Sequence, residues 1–271
     1  MRRIILGILS SAISILLLSN CQGKVESNQH SKLTSSTTDK NLLASSSPES
    51  SGELLSGENV TFTTADGIVI VGTFYSCGKD NAPAILCLHQ WMSDRSTYSK
   101  LVQKLVAEGI HVLTIDSRGF GESTTNASGK KVDPDRRALK DVEGAVAFLK
   151  KQKNVDAARL GIIGASYGAS NALMYASTNP AVRAICLLSP GVNYFNVLPT
   201  EDAIKSYGDR PLMSVASKED RRSAEAVELY QSLKKENHVV IYLEGSEHGT
   251  GMFNNSDELF VQIINFFRKS L

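Results

Sequence analysis

Beyond residue 57 the chain alternates between two hydrophobic periods. Apolar runs of strand length cover residues 60–63, 68–75, 84–89, 111–116, 159–164, 184–189, 211–217 and 238–245. The middle runs, among them "AILCLH" and "AICLLS", are apolar without alternation, as strands covered on both faces must be. Between the runs, apolar residues recur three or four apart, which predicts helices over 98–107, 134–151, 170–177, 224–233 and 258–267. Asp133 before Pro134 reads as an N-cap followed by a proline at the first helical position. Two β-runs without a helix, followed by repeated β-α units, describe an α/β domain. Its sheet should have eight strands, mostly parallel with an antiparallel edge, and helices on both faces. In such sheets the functional loops lie beyond the carboxyl ends of the strands. No fixed-period repeat is visible.

The first 57 residues follow a different pattern. Arg2 and Arg3 precede an apolar run from Ile4 to Leu18, and small or polar residues then lead to Cys21. That is the layout of a secretory signal, and the run falls short of the roughly 20 apolar residues of a membrane helix. Leu18-Ser19-Asn20-Cys21 resembles the lipobox of a bacterial lipoprotein, in which the cysteine is acylated. Residues 21–57 are rich in Ser, Thr, Asn and Lys, and bury too little apolar surface to offset their ordering entropy. The expected organisation is therefore a signal peptide over 1–20, a flexible tether over 21–57 and one globular domain over 58–271. Lipid on Cys21 would hold that domain at a membrane surface, with export to the periplasm or cell surface.

Composition narrows the function classes. The 271 residues carry 29 Lys+Arg against 28 Asp+Glu and no basic cluster interleaved with aromatics, which argues against nucleic acid as a partner. Of four cysteines, Cys87 and Cys186 lie inside apolar runs and read as small buried hydrophobes, while Cys77 sits in a turn-like stretch. With Cys21 assigned to lipid, the odd remainder offers no disulfide framework. No CxxC or HExxH spacing suggests a metal, and no cofactor is called for.

The chemistry concentrates at Gly164-Ala165-Ser166-Tyr167-Gly168, at the junction of a buried run and a helix. A serine that is to attack a carbonyl from a strand-to-helix turn needs a sharp, strained backbone, which leaves no room for side chains two residues before and after it. Ser166 thus reads as a nucleophile, in need of a base and of an acid to orient that base. Such an elbow expects the chain order Ser, Asp or Glu, then His. Asp220 follows the next-to-last run, with Glu219 in reserve, and His248 follows the last. Glu244 and Glu247 read as solvated loop charges. His30 lies in the tether, His111 and His238 begin strands at the wrong end of the sheet, and His89 is suited to holding a loop. For an oxyanion, the donors should be the amides of Tyr167, directly after the nucleophile, and of Trp91, in the loop after "AILCLH". Tyr194, Phe195 and Leu198 are candidates to line an acyl pocket, or equally to be core residues.

These features together resemble the α/β-hydrolase superfamily, in particular its small esterase-like members grouped with the dienelactone hydrolases. The resemblance covers about residues 58–271 and rests on "LCLHQW", "DSRGFGES", "GASYG", "SKED" and "GSEHG" in order. It implies that the DxRGxGxS segment packs behind the site without taking part in chemistry. Gln90 stands where these proteins usually carry glycine. Only about twenty residues separate the sixth and seventh runs, where relatives carry lids, so no large lid domain is expected. The implied activity is cleavage of a carboxylic ester through an acyl-enzyme. A thioesterase, acyltransferase or peptidase would use the same three residues, and a non-catalytic binding lipoprotein is the alternative of a different class.

Overall fold

The structure is a computed structural model that describes residues 56–271. The signal peptide, most of the tether, Cys21 and His30 lie outside the described residues.

Eight strands form one sheet: β1 (Glu58–Thr63), β2 (Val69–Tyr75), β3 (Ala82–Leu88), β4 (His111–Ile115), β5 (Val155–Ala165), β6 (Val182–Leu188), β9 (Leu212–Ser217) and β10 (His238–Leu243). Their spatial order is β1-β2-β4-β3-β5-β6-β9-β10. Within this sheet, among the described residues, only the β1–β2 and β2–β4 pairs are antiparallel. From β4 to β10 every pair is parallel, so the carboxyl ends of six strands open on one edge.

Successive residues of the central strands feed two cores. Leu86, Ile162 and Leu187 face one side, with α2 (Leu139–Lys150), α3 (Tyr167–Thr178), α4 (Glu201–Tyr207) and α5 (Arg221–Leu233). Ile85, Cys87, Ile163 and Cys186 face the other, with α1 (Ser99–Ala107) and α6 (Asp257–Ser270). Continuous apolarity in these runs is thus the signature of a sheet buried on both faces. Cys87 and Cys186 are fully buried, and burial pushes both thiols well above their ordinary range. Cys77 is free and half-buried beside His111.

Two stretches differ from the sequence expectation. The second helix starts at Leu139, and Pro134 is not its first residue. The preceding chain is held in an irregular, non-helical path by tertiary contacts: Tyr167 donates its hydroxyl hydrogen to the Asp135 carbonyl at 2.7 Å, and the Ala138 amide donates to Asn171 Oδ1 at 3.0 Å. Gly119 packs so closely on Asp133 and Pro134 that a Cβ there would lie 2.2 Å from the Pro134 nitrogen. The second difference lies between β6 and β9, where a small hairpin, β7 (Asn193–Tyr194) and β8 (Leu198–Pro199), precedes α4. Phe195 and Asn196 turn it with φ of 57° and 58°. The Gly191 carbonyl anchors its base, accepting from the Thr200 and Tyr230 hydroxyls at 2.9 Å each. No large lid interrupts this connection.

Candidate active site

Ser166 stands between β5 and α3 with φ 53° and ψ −114°, a conformation that costs a non-glycine residue on the order of 1–3 kcal/mol. Its flanking glycines make that turn possible. A Cβ on Gly164 would lie 2.4 Å from the Gly168 carbonyl oxygen, and one on Gly168 would lie 2.4 Å from Leu88 O and 2.6 Å from His89 O. All three obstacles are backbone atoms, so no side-chain rotation relieves them. The Ser166 amide donates to Leu188 O at 2.7 Å, which pins the turn to β6.

Three side chains predicted from sequence meet here. The Ser166 hydroxyl donates to His248 Nε2 at 2.7 Å, and His248 Nδ1–H donates to Asp220 Oδ2 at 2.6 Å. A carboxylate only accepts, so its presence at Nδ1 fixes the tautomer and leaves the Nε2 lone pair for the serine. Asp220 occupies the N-cap position of α5, yet its side chain makes no cap bond because it turns to the imidazole. The helix dipole there favours its negative charge. Glu219 is exposed and is not a partner of His248, Glu244 pairs with Lys218, and Glu247 accepts from Asn255.

The loop carrying His248 is tied to three other strand ends. Ser217, at the end of β9, donates to Glu247 O at 2.6 Å. The Gly249 amide donates to the Ser189 hydroxyl oxygen at 2.9 Å, just past β6. Gln90 Oε1, just past β3, accepts from both the amide and the hydroxyl of Thr250 at 2.9 Å each. The role of Gln90 was not foreseen; its one sequence signal was a long polar residue where glycine is usual.

His89 holds a loop, as expected. Its Nδ1–H donates to Gln90 O at 2.7 Å and its Nε2 accepts the Ser117 amide at 2.9 Å. The "DSRGFGES" segment packs behind it. Asp116 accepts from the Arg95 amide and guanidinium and from the Glu122 amide, and buried Arg118 bridges Asp66 and Asp141. His111 and His238 begin β4 and β10, at the far end of the sheet. Among the described residues no group of three or more His, Cys, Asp and Glu is gathered as a metal site requires.

A cleft of about 590 Å³ opens over Ser166, lined by Trp91, Tyr167, Tyr194, Phe195, Arg222 and Glu225 among others. The Trp91 indole packs on Tyr167 and Phe195 at centroid distances of 5.2 and 4.8 Å. Neither the Trp91 nor the Tyr167 amide has a hydrogen-bond acceptor among the described residues. Tyr194 and Phe195 form part of the wall. Leu198 is fully buried with Ala138 and Tyr167 and belongs to the core behind it. Arg222 and Glu225 were missed because only the start of α5 directly after Asp220 turns them toward the cleft.

Residues 79–207 match the family described as serine aminopeptidase, S33. That stretch includes Trp91 and Ser166 and ends before Asp220 and His248; it does not single out the dienelactone hydrolases. The thiohydrolase aneE of Aspergillus aculeatus is 30% identical over 132 residues, covering 48% of this chain and 41% of that protein. The chain thus spans less than half the length of that relative. An uncharacterized Escherichia coli O157:H7 protein, YfhR, is 27% identical over 80% of this chain and 82% of its own. Among solved structures, the Pyrococcus furiosus esterase Pf2001 superposes with a TM-score of 0.64 at 18% identity, covering 80% of this chain and 91% of that one. An eight-stranded sheet of this order, flanked by helices and superposing on such structures, gives the chain the α/β-hydrolase fold.

Proposed function

We propose that the protein is a serine hydrolase cleaving carboxylic esters through an acyl-enzyme, with Ser166, His248 and Asp220 as nucleophile, base and orienting acid. The unbroken hydrogen-bond relay from Ser166 Oγ through the imidazole to Asp220, at 2.7 and 2.6 Å, carries this reading. Ser166 Oγ attacks the carbonyl as its proton passes to Nε2. The same proton then leaves with the alcohol, and water repeats the sequence on the acyl group. Charge developing on the carbonyl oxygen meets the Trp91 and Tyr167 amides. A thioester is the second substrate class, favoured by the likeness to a thiohydrolase.

Ser166→Ala is expected to keep the fold and lower hydrolysis of short p-nitrophenyl esters by at least about 10⁴-fold. Labelling of Ser166 by a fluorophosphonate tests the nucleophile directly. Full turnover by the alanine variant would end the proposal. The leader supports a companion reading, that lipid on Cys21 anchors the domain to a membrane. Cys21→Ser should then release the protein from the membrane fraction, and retention there would overturn it.

A further inference from the structure

Among the polar side chains of the cleft wall that this relay does not use is Tyr194. Tyr194 lines the cleft together with Ser166, and its hydroxyl donates to Ser189 O at 3.1 Å. The Ser166 and Ser223 hydroxyls both stand beside it. Ser223, fully buried on α5, has no hydrogen-bond partner among the described residues. Burial raises the Tyr194 pKa, so the phenol stays neutral and able to donate.

Topology decides which reacting oxygen Tyr194 faces. β5, which delivers Ser166, lies between β3 and β6. The amides offered to the oxyanion are on the β3 side: Trp91 follows β3, and the start of α3 packs on its last carbonyls through Gly168. His248, Asp220 and Tyr194 follow β10, β9 and β6, on the other side. Tyr194 therefore approaches the serine from the side of the imidazole, where the alcohol departs.

Building on the serine-hydrolase reading, we infer that Tyr194 is a further catalytic residue whose hydroxyl donates a hydrogen bond to the departing ester oxygen. As the Ser166 Oγ–C bond forms and the C–OR bond breaks, the serine proton travels through His248 Nε2 to the departing oxygen. Tyr194 keeps its own proton and turns its hydroxyl from Ser189 O to that oxygen as it gains charge. Ser223 then has an acceptor in the phenolic oxygen, which strengthens the donated bond.

Assistance of this kind matters most for a poor leaving group. The test measures kcat/KM of wild type and Tyr194→Phe on matched p-nitrophenyl, phenyl and ethyl esters of one acyl group. The variant is expected to lose about tenfold more on the ethyl than on the p-nitrophenyl ester, the value of one hydrogen bond made in the transition state. Because the comparison is made within one protein preparation, a partly unfolded variant does not distort it. An equal loss on all three esters, or no loss, overturns the role of Tyr194 while the hydrolase reading stands. Wild-type protein that neither hydrolyses these esters nor labels with fluorophosphonate overturns both.

Discussion

The proposed nucleophile and the proposed base are positioned by opposite means. Ser166 is 6% exposed at the centre of the sheet, in a strained turn whose shape is enforced by backbone packing against backbone. The His248 side chain is 42% exposed on a loop after the edge strand β10, and that loop is held by a hydrogen bond from Ser217 and by bonds it donates to Ser189 and Gln90. Steric enforcement leaves no adjustable part, whereas a set of side-chain bonds can be weakened one at a time. Failure at the elbow should therefore be abrupt, and failure at the base loop graded.

The largest effect is expected from Gly168→Ala. Its methyl would meet two carbonyl oxygens that cannot rotate away, at a cost of about 3 kcal/mol of stability with loss of most ester turnover. Urea unfolding and initial rates would show both, and a silent substitution would refute steric enforcement. Next comes Gln90→Ala, which strips the acceptor from the Thr250 amide and hydroxyl. About 1–2 kcal/mol of stability and roughly tenfold in kcat should go, with KM little changed. Gln90→Glu keeps the acceptor oxygen and should recover much of the rate; a loss confined to KM would show that Gln90 serves binding instead. Ser189→Ala, which removes a single bond to the Gly249 amide, should act in the same direction at about 1 kcal/mol.

The smallest effect comes from two histidines, fully buried His89 and half-buried His238. Burial lowers the pKa of both His89 and His238, and in each Nε2 accepts a hydrogen bond, from the Ser117 amide or the Ser214 hydroxyl. In the unfolded chain both imidazoles take up a proton near pH 6.5, while in the fold they resist it. Acidification below about 6.5 therefore favours unfolding, and above that value this contribution is flat. The urea midpoint should fall between pH 7.5 and 5.5, and His238→Gln should remove part of the fall. A midpoint that rises on acidification would contradict the neutral, accepting imidazoles.

The same contrast explains what could be read from the chain. Elements set by local pattern were legible: the central strands through their apolar runs, Ser166 through its glycines, and Asp220 and His248 through their places after strands. Elements set by distant partners were not. Residues 134–138 carry a helix-like start, yet contacts with Gly119, Tyr167 and Asn171 hold them out of the helix. The hairpin of Tyr194 and Leu198 is too short to show a period. Tyr194 and Leu198 pair directly across it and share one face, Leu198 fully buried in the small core and Tyr194 packed against that core at the cleft wall. Gln90 was conspicuous in sequence, but its partner lies 160 positions away.

The fastening of the hairpin at Gly191 has a consequence for selectivity. With Thr200 and Tyr230 both bonded to one carbonyl, the aromatic wall behind Ser166 is a fixed boundary, not a flap that opens for a guest. A site of that kind sorts molecules by shape on arrival: a slim ligand fits or a bulky one is refused, with little rearrangement of the host.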